Sequence, residues 1–150
     1  MRILIADDDP HTRSLLESML IRWGYDVVVT ENGKEALEIL QWDDPPPLAI
    51  LDRMMPGIDG VTLCRKVREN PGARPNYLIL LTGMSDQRDI VEGLRAGADD
   101  YVTKSFNETG IFTVTLIRVA HRVERSLQAT PCPQRKASLL LGPVSLVDRL

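Results

Sequence analysis

Three short runs in this chain are apolar at every position: Ile3-Leu4-Ile5-Ala6, Leu48-Ala49-Ile50-Leu51 and Tyr77-Leu78-Ile79-Leu80-Leu81. Side chains of a strand point alternately to its two faces, so a strand without alternation has two faces to hide. Helices packed on both sides of a parallel sheet do this. The intervening segments supply such helices. Leu15, Leu16, Met19, Leu20 and Trp23 recur at helical spacing after Pro10, which suits a first turn, and Gly24 is a natural stop. Tyr25–Thr30 is a valine-rich second strand. Past the Asn32-Gly33 turn, Ala36, Leu37, Ile39 and Leu40 mark a short helix, and Pro45-Pro46-Pro47 makes a rigid loop. Val61, Leu63, Cys64 and Val67 form a third helix face. Asp86–Ala96 is a fourth helix, closed by Gly97. Asp100–Thr103 is a fifth strand. A final helix is expected from about residue 108 to 128, with Phe112, Leu116, Val119, Val123 and Leu127 in one stripe, although Gly110 and Phe112-Thr113-Val114-Thr115 favour helix poorly.

A length of 150 residues suits one domain with a short appendage. The expected division is a domain over 1–128 and a linker with C-terminal extension over 129–150. In that extension Leu139-Leu140-Leu141 and Val144–Val147 flank Gly142-Pro143, as in an arm or the first strand of a truncated further domain. Net charge is −3 overall, +2 over 129–150 and therefore −5 over 1–128, so nucleic-acid binding by the main domain is not expected. Cys64 and Cys132 make neither a metal motif nor a disulfide framework, in keeping with a reducing cytosol. No apolar run approaches the roughly 20 residues that span a bilayer. The strand-like run after Met1-Arg2 leaves no room for a signal peptide, so a cytoplasmic placement without membrane contact is expected.

Charge gathers where the apolar runs stop. Asp7, Asp8 and Asp9 follow the first, Asp52 follows the third strand, and Lys104 follows Tyr101-Val102-Thr103. In an open α/β sheet the carboxyl ends of the strands meet at one crevice. Carboxylates crowded there repel one another and call for a cation. Oxygen donors with room left for water suit Mg²⁺, which takes about six ligands near 2.1 Å. A charge at the end of a buried strand, as at Asp52, is costly unless it has a partner or a task.

Asp52 opens the stretch Asp52-Arg53-Met54-Met55-Pro56-Gly57-Ile58-Asp59-Gly60. This stretch resembles the phosphoacceptor signature of receiver domains in bacterial two-component response regulators. The resemblance runs from about residue 2 to 125 and extends to Asp7 and Asp8 as the acidic pair, Thr82 as the switch hydroxyl, Tyr101 as the switch aromatic and Lys104 as the lysine. It implies an α/β, flavodoxin-like doubly wound (βα)5 fold with a five-stranded parallel sheet in the order 2-1-3-4-5. It further implies a phosphorelay protein whose Asp52 accepts a phosphoryl group. Asp7, Asp8, Asp52 and the backbone carbonyl of Met54 would hold Mg²⁺. Lys104 would pair with Asp52 and then with a phosphate oxygen, while Thr82 and Tyr101 carry the change of conformation. The implied partners are a sensor histidine kinase or phosphotransfer protein, and a second copy across the last two helices and strand five. The only implied chemistry is Mg²⁺-dependent self-phosphorylation and self-dephosphorylation, not that of a conventional enzyme.

One residue departs from the family pattern. Ser105 stands where a proline with a cis bond usually follows the lysine. A cis bond without proline costs about 2.5–4 kcal/mol, so trans is expected, with a shifted Lys104–Phe106 loop. Two rival readings stay open. Asp7-Asp8-Asp9 also resembles the D-x-D motif of haloacid dehalogenase-like phosphatases, in which Asp7 would be the nucleophile and Asp99-Asp100 the later acids. The other rival is a scaffold that keeps the receiver fold without phosphorylation.

Overall fold

The computed structural model describes residues 1–69, 76–83, 87–104 and 111–129. Strands and helices alternate from end to end: β1 (Arg2–Ala6), α1 (Pro10–Arg22), β2 (Asp26–Thr30), α2 (Gly33–Leu40), β3 (Leu48–Asp52), α3 (Gly60–Glu69), β4 (Tyr77–Thr82), α4 (Gln87–Ala96), β5 (Asp100–Thr103) and α5 (Ile111–Ala129). The strands form one parallel sheet in the order β2-β1-β3-β4-β5, as expected.

The apolar runs sit where the two-faced argument requires. β3 and β4 are buried at every position, whereas β2, on the edge, is only partly buried along its valines. Alternate residues feed two separate cores. Ile3, Ile5, Ile50, Ile79 and Leu81 pack with Leu16 and Leu20 of α1 and Leu116, Val119 and Val123 of α5. Leu4, Ala49, Leu51, Leu78 and Leu80 pack with Ala36 and Leu40 of α2, and with Val61, Leu63, Cys64 and Val67 of α3. Each large aliphatic side chain so buried contributes roughly 1.5–3 kcal/mol of transfer free energy.

Helix starts follow from local side chains. Asp9 caps α1 by accepting from the His11 N–H at 3.1 Å and from the Thr12 hydroxyl at 2.8 Å. Asn32 caps α2 through the Glu35 N–H at 2.9 Å, and Asp59 accepts from the Thr62 N–H at 2.7 Å at the head of α3. Two details correct the sequence reading. Leu15 is 40% exposed, outside the buried stripe of α1. Asp99 and Asp100, at the turn entering β5, do more than turn the chain: Asp100 is buried and Asp99 pairs with Arg68. Asp86 and residues 108–110, expected in helices, lie outside the described residues, as do Met84, the Ser105–Phe106 segment and residues 130–150.

Candidate functional site

Parallel register lines up the strand ends. Ala6 pairs with Leu51 and Asp52 with Leu81, so Asp7 and Asp52 leave neighbouring strands at the same level. The loop after Asp52 is tied down on both sides. The Arg53 N–H donates to the Leu81 carbonyl at 2.9 Å, and the Gly60 N–H donates to the Arg53 carbonyl at 3.0 Å. Gly60 has to be small, because a Cβ there would fall 2.5 Å from the Asp52 carbonyl oxygen. Across the crevice, the Lys104 N–H donates to the Thr82 carbonyl at 2.7 Å, which fixes where the lysine leaves β5.

The charged side chains meet there. Lys104 Nζ lies 3.1 Å from Asp7 Oδ2 and 3.1 Å from Asp52 Oδ1, bridging the two acids. Asp7 is wholly buried and accepts the Asp9 N–H at 2.9 Å through its other oxygen. Arg13 of α1 donates to the Asp7 carbonyl oxygen at 2.8 Å, which anchors the turn from its backbone. Asp52 is buried and accepts the Met54 N–H at 3.4 Å. Asp8 is exposed, and Asp7, Asp8 and Asp52 each offer a carboxylate oxygen within 4.8 Å of the others.

Electrostatics set this site apart. Burial, then the hydrogen bond and charge of Asp7, push the Asp52 carboxyl up to about 7, with Lys104 pulling partly the other way. Burial alone would lower the Lys104 ammonium, but Asp7 and Asp52 outweigh it and hold the group above its ordinary value. One lysine is therefore shared between two buried acids, with a third at the mouth. The donors are hard oxygens and one of them faces water, which fits Mg²⁺ and does not suit a thiolate-seeking metal.

The other expected residues lie on the strands that form the crevice or in the loop after Asp52. Thr82 is buried at the end of β4, paired in register with Thr103. Tyr101 is partly buried, packed against the core cluster that α2, α3 and α4 share. Met54 is 69% exposed, whereas Met55 is buried in the core shared by α2 and α3. Asp9 belongs to the helix cap rather than the site. Asp99 and Asp100 stand at the opposite end of the sheet, at the entry to β5, so they supply no second pair of acids and the dehalogenase-like arrangement is not formed. Sequence reasoning missed Arg13 and Arg53. Arginines one turn into a helix or just after a strand look like surface charges until their partners are seen.

Comparison with known proteins agrees. The family model for the response regulator receiver domain matches residues 3–115. The uncharacterized transcriptional regulatory protein YrkP of Bacillus subtilis is 43% identical over 107 residues, covering 71% of this chain and 44% of its own length. The alkaline phosphatase synthesis regulator PhoP of the same organism is 34% identical over 147 residues, covering 98% of this chain and 58% of its own. The chain thus spans about half the length of the curated relatives it matches. Among solved structures, TrrA of Thermotoga maritima, in complex with Mg²⁺ and beryllium fluoride, superposes with a TM-score of 0.68 at 36% identity over 81% of this chain and 97% of its own. The acids and the lysine at the strand ends, the sheet order and these likenesses agree: the chain belongs to the response regulator receiver domain family.

Proposed function

We propose that Asp52 accepts a phosphoryl group and that this domain relays a signal by the change that follows. The observation that carries the reading is the Lys104 bridge between two buried acids, with Asp8 close by. Asp7, Asp8 and Asp52, with the Met54 carbonyl, would hold Mg²⁺, which when bound offsets charge on the transferring group. Phosphoryl transfer asks the protein mainly for position and electrostatics. An Asp52 carboxylate oxygen attacks phosphorus, the bond to the donor's nitrogen or oxygen breaks, and its electron pair leaves with the donor. The attacking oxygen must be ionised, and burial beside Asp7 works against that. Positive charge in the crevice therefore matters before the reaction as well as during it. Lys104 then turns to a phosphoryl oxygen, Thr82 offers its hydroxyl, and Tyr101 follows inward.

The phosphoryl donor is a histidine kinase, a phosphotransfer protein or a small phosphorylated molecule, and the chain performs no turnover beyond gaining and losing that group. Cytoplasmic placement follows from the signalling role; among the described residues no helix is long and apolar enough to cross a membrane. Residues 129–150 lead toward an output segment. Any DNA contact lies there and not on the acidic domain, and α4, β5 and α5 form the face for a second copy. Of the arginines on α5, Arg118 and Arg125 are exposed, whereas Arg122 donates to the Tyr77 hydroxyl and serves the fold.

Intact-mass measurement tests the acceptor. With Mg²⁺ and a small phosphodonor, the wild type gains one acid-stable, base-labile phosphoryl group and Asp52→Asn gains none. Labelling of Asp52→Asn at the wild-type rate would sink the reading, and its loss only in Asp7→Asn would favour the phosphatase-like alternative.

A further inference from the structure

Arg53 follows the acceptor directly, and its side chain reaches away to α4. Its Nη2 lies 2.9 Å from Asp89 Oδ1 and 3.4 Å from Glu92 Oε2, and Arg65 of α3 approaches Glu92 at 3.9 Å. The guanidinium is largely covered, with only 17% of the side chain exposed. One of its atoms is poorly served. Among the described residues, Arg53 Nε is the buried side-chain polar atom that has no hydrogen-bond partner. A buried donor without an acceptor is costly, so an acceptor newly brought near it would be bound. The backbone of the same residue is fixed to β4 and α3 through Leu81 and Gly60. The side chain can therefore change partners while its base stays in place.

We propose that Arg53 is a positioning residue that couples the charge at Asp52 to α4. It latches α4 to the β3–α3 loop through Asp89 and Glu92, and the latch loosens when Asp52 carries a phosphoryl group. This rests on Asp52 being the acceptor. A phosphoryl group adds negative charge and strong acceptor oxygens one residue away from a guanidinium that has a spare N–H. Asp89 and Glu92 then compete with it for the same cation. Coupling of this kind is reciprocal, so weakening the α4 acids must strengthen binding at Asp52.

Beryllium fluoride with Mg²⁺, a phosphoryl mimic, tests this in the whole chain by titration calorimetry. Asp89→Asn is expected to bind it several-fold more tightly than the wild type, and Asp89→Asn with Glu92→Gln more tightly again. In an Arg53→Met background the gain from Asp89→Asn disappears. A purely structural role for Arg53 would move both single variants in the same direction. Unchanged affinity in Asp89→Asn, or a gain that persists without Arg53, would overturn the coupling. A second readout needs no variant: hydrogen exchange in residues 87–96 should quicken when beryllium fluoride binds the wild type, relative to α2, and equal protection would overturn it. A wild type that binds no beryllium fluoride would overturn the acceptor reading itself, and the coupling with it.

Discussion

At the start of β4 and β5, Arg68 reaches from α3 to Asp99 at 2.7 Å, to the Gly97 carbonyl at 2.9 Å and to the Asn76 carbonyl at 3.1 Å. Asp99 also accepts the Leu78 N–H at 2.8 Å. At the other end of the same strands, Lys104 is shared between Asp7 and Asp52, with Asp8 at the mouth. Both clusters put ions where burial penalises them. In the first, the Arg68 guanidinium meets the Asp99 carboxylate and its remaining donors find carbonyls, so this pair is satisfied and the strand ends are clamped. In the second, three acids share one lysine, and among the described residues they form no further ion pair. The balanced cluster is a joint, and the unbalanced one is a socket for something positive. Buried charge by itself does not mark a functional site; an uncompensated remainder does.

The largest effect should come from breaking the joint. Arg68→Ala leaves Asp99 buried beside β4 without its main cation, and removing one partner of a buried pair costs about 3–5 kcal/mol. Urea unfolding should show that loss, while beryllium fluoride still binds whatever protein remains folded. A loss well under 1 kcal/mol would mean that water compensates Asp99, and the contrast between the two ends would fail.

The same kind of change at the socket should have the opposite sign. The folded-state value of Asp52, about 7, lies above the ordinary 3.8 of an aspartate. The native state then binds more protons than the unfolded state between those values. Stability of the metal-free protein should accordingly fall as pH rises from about 4 to about 7, and level off above. Asp52→Asn removes the acid that resists ionising. In chelator at pH 8 it should be more stable than the wild type by about 1–3 kcal/mol, with a flatter pH profile. Chemical denaturation across pH checks both. A destabilised Asp52→Asn would show that Lys104 already neutralises the cluster.

How far the sequence foretold these two regions follows from the same contrast. The fold was legible because the runs at β1, β3 and β4 have no polar face, which leaves a covered parallel sheet as the architecture that hides them. The socket was legible because its acids interrupt that pattern: Asp52 ends a run in which every other residue is apolar. Asp99 gave no such signal. It stands with Asp100 after a helix-stopping glycine, where acids commonly face water, and its partner Arg68 is 31 residues away in sequence. Arg53 was hidden for the same reason, since Asp89 and Glu92 are neighbours only once α4 is packed. Periodicity reports what must be buried. It does not report which long side chain will cross between elements to meet a charge.

The smallest expected effect is also the most selective. Asp8 is the exposed acid of the socket, so its removal should leave folding in chelator unchanged while weakening Mg²⁺ binding. A ligand that binds only the native state stabilises it according to its affinity, and a tenfold loss appears as about 1.4 kcal/mol less stabilisation at saturating Mg²⁺. Thermal unfolding of Asp8→Asn with and without Mg²⁺ should therefore give an unshifted midpoint in chelator and a reduced rise with the metal. The joint offers no counterpart to this result, because each of its charges has a partner within the chain and none is held open for an ion from outside. Should Asp8→Asn keep the full rise, Asp7 and Asp52 alone would make the socket. Its excess charge would then be smaller, and closer to that of the joint.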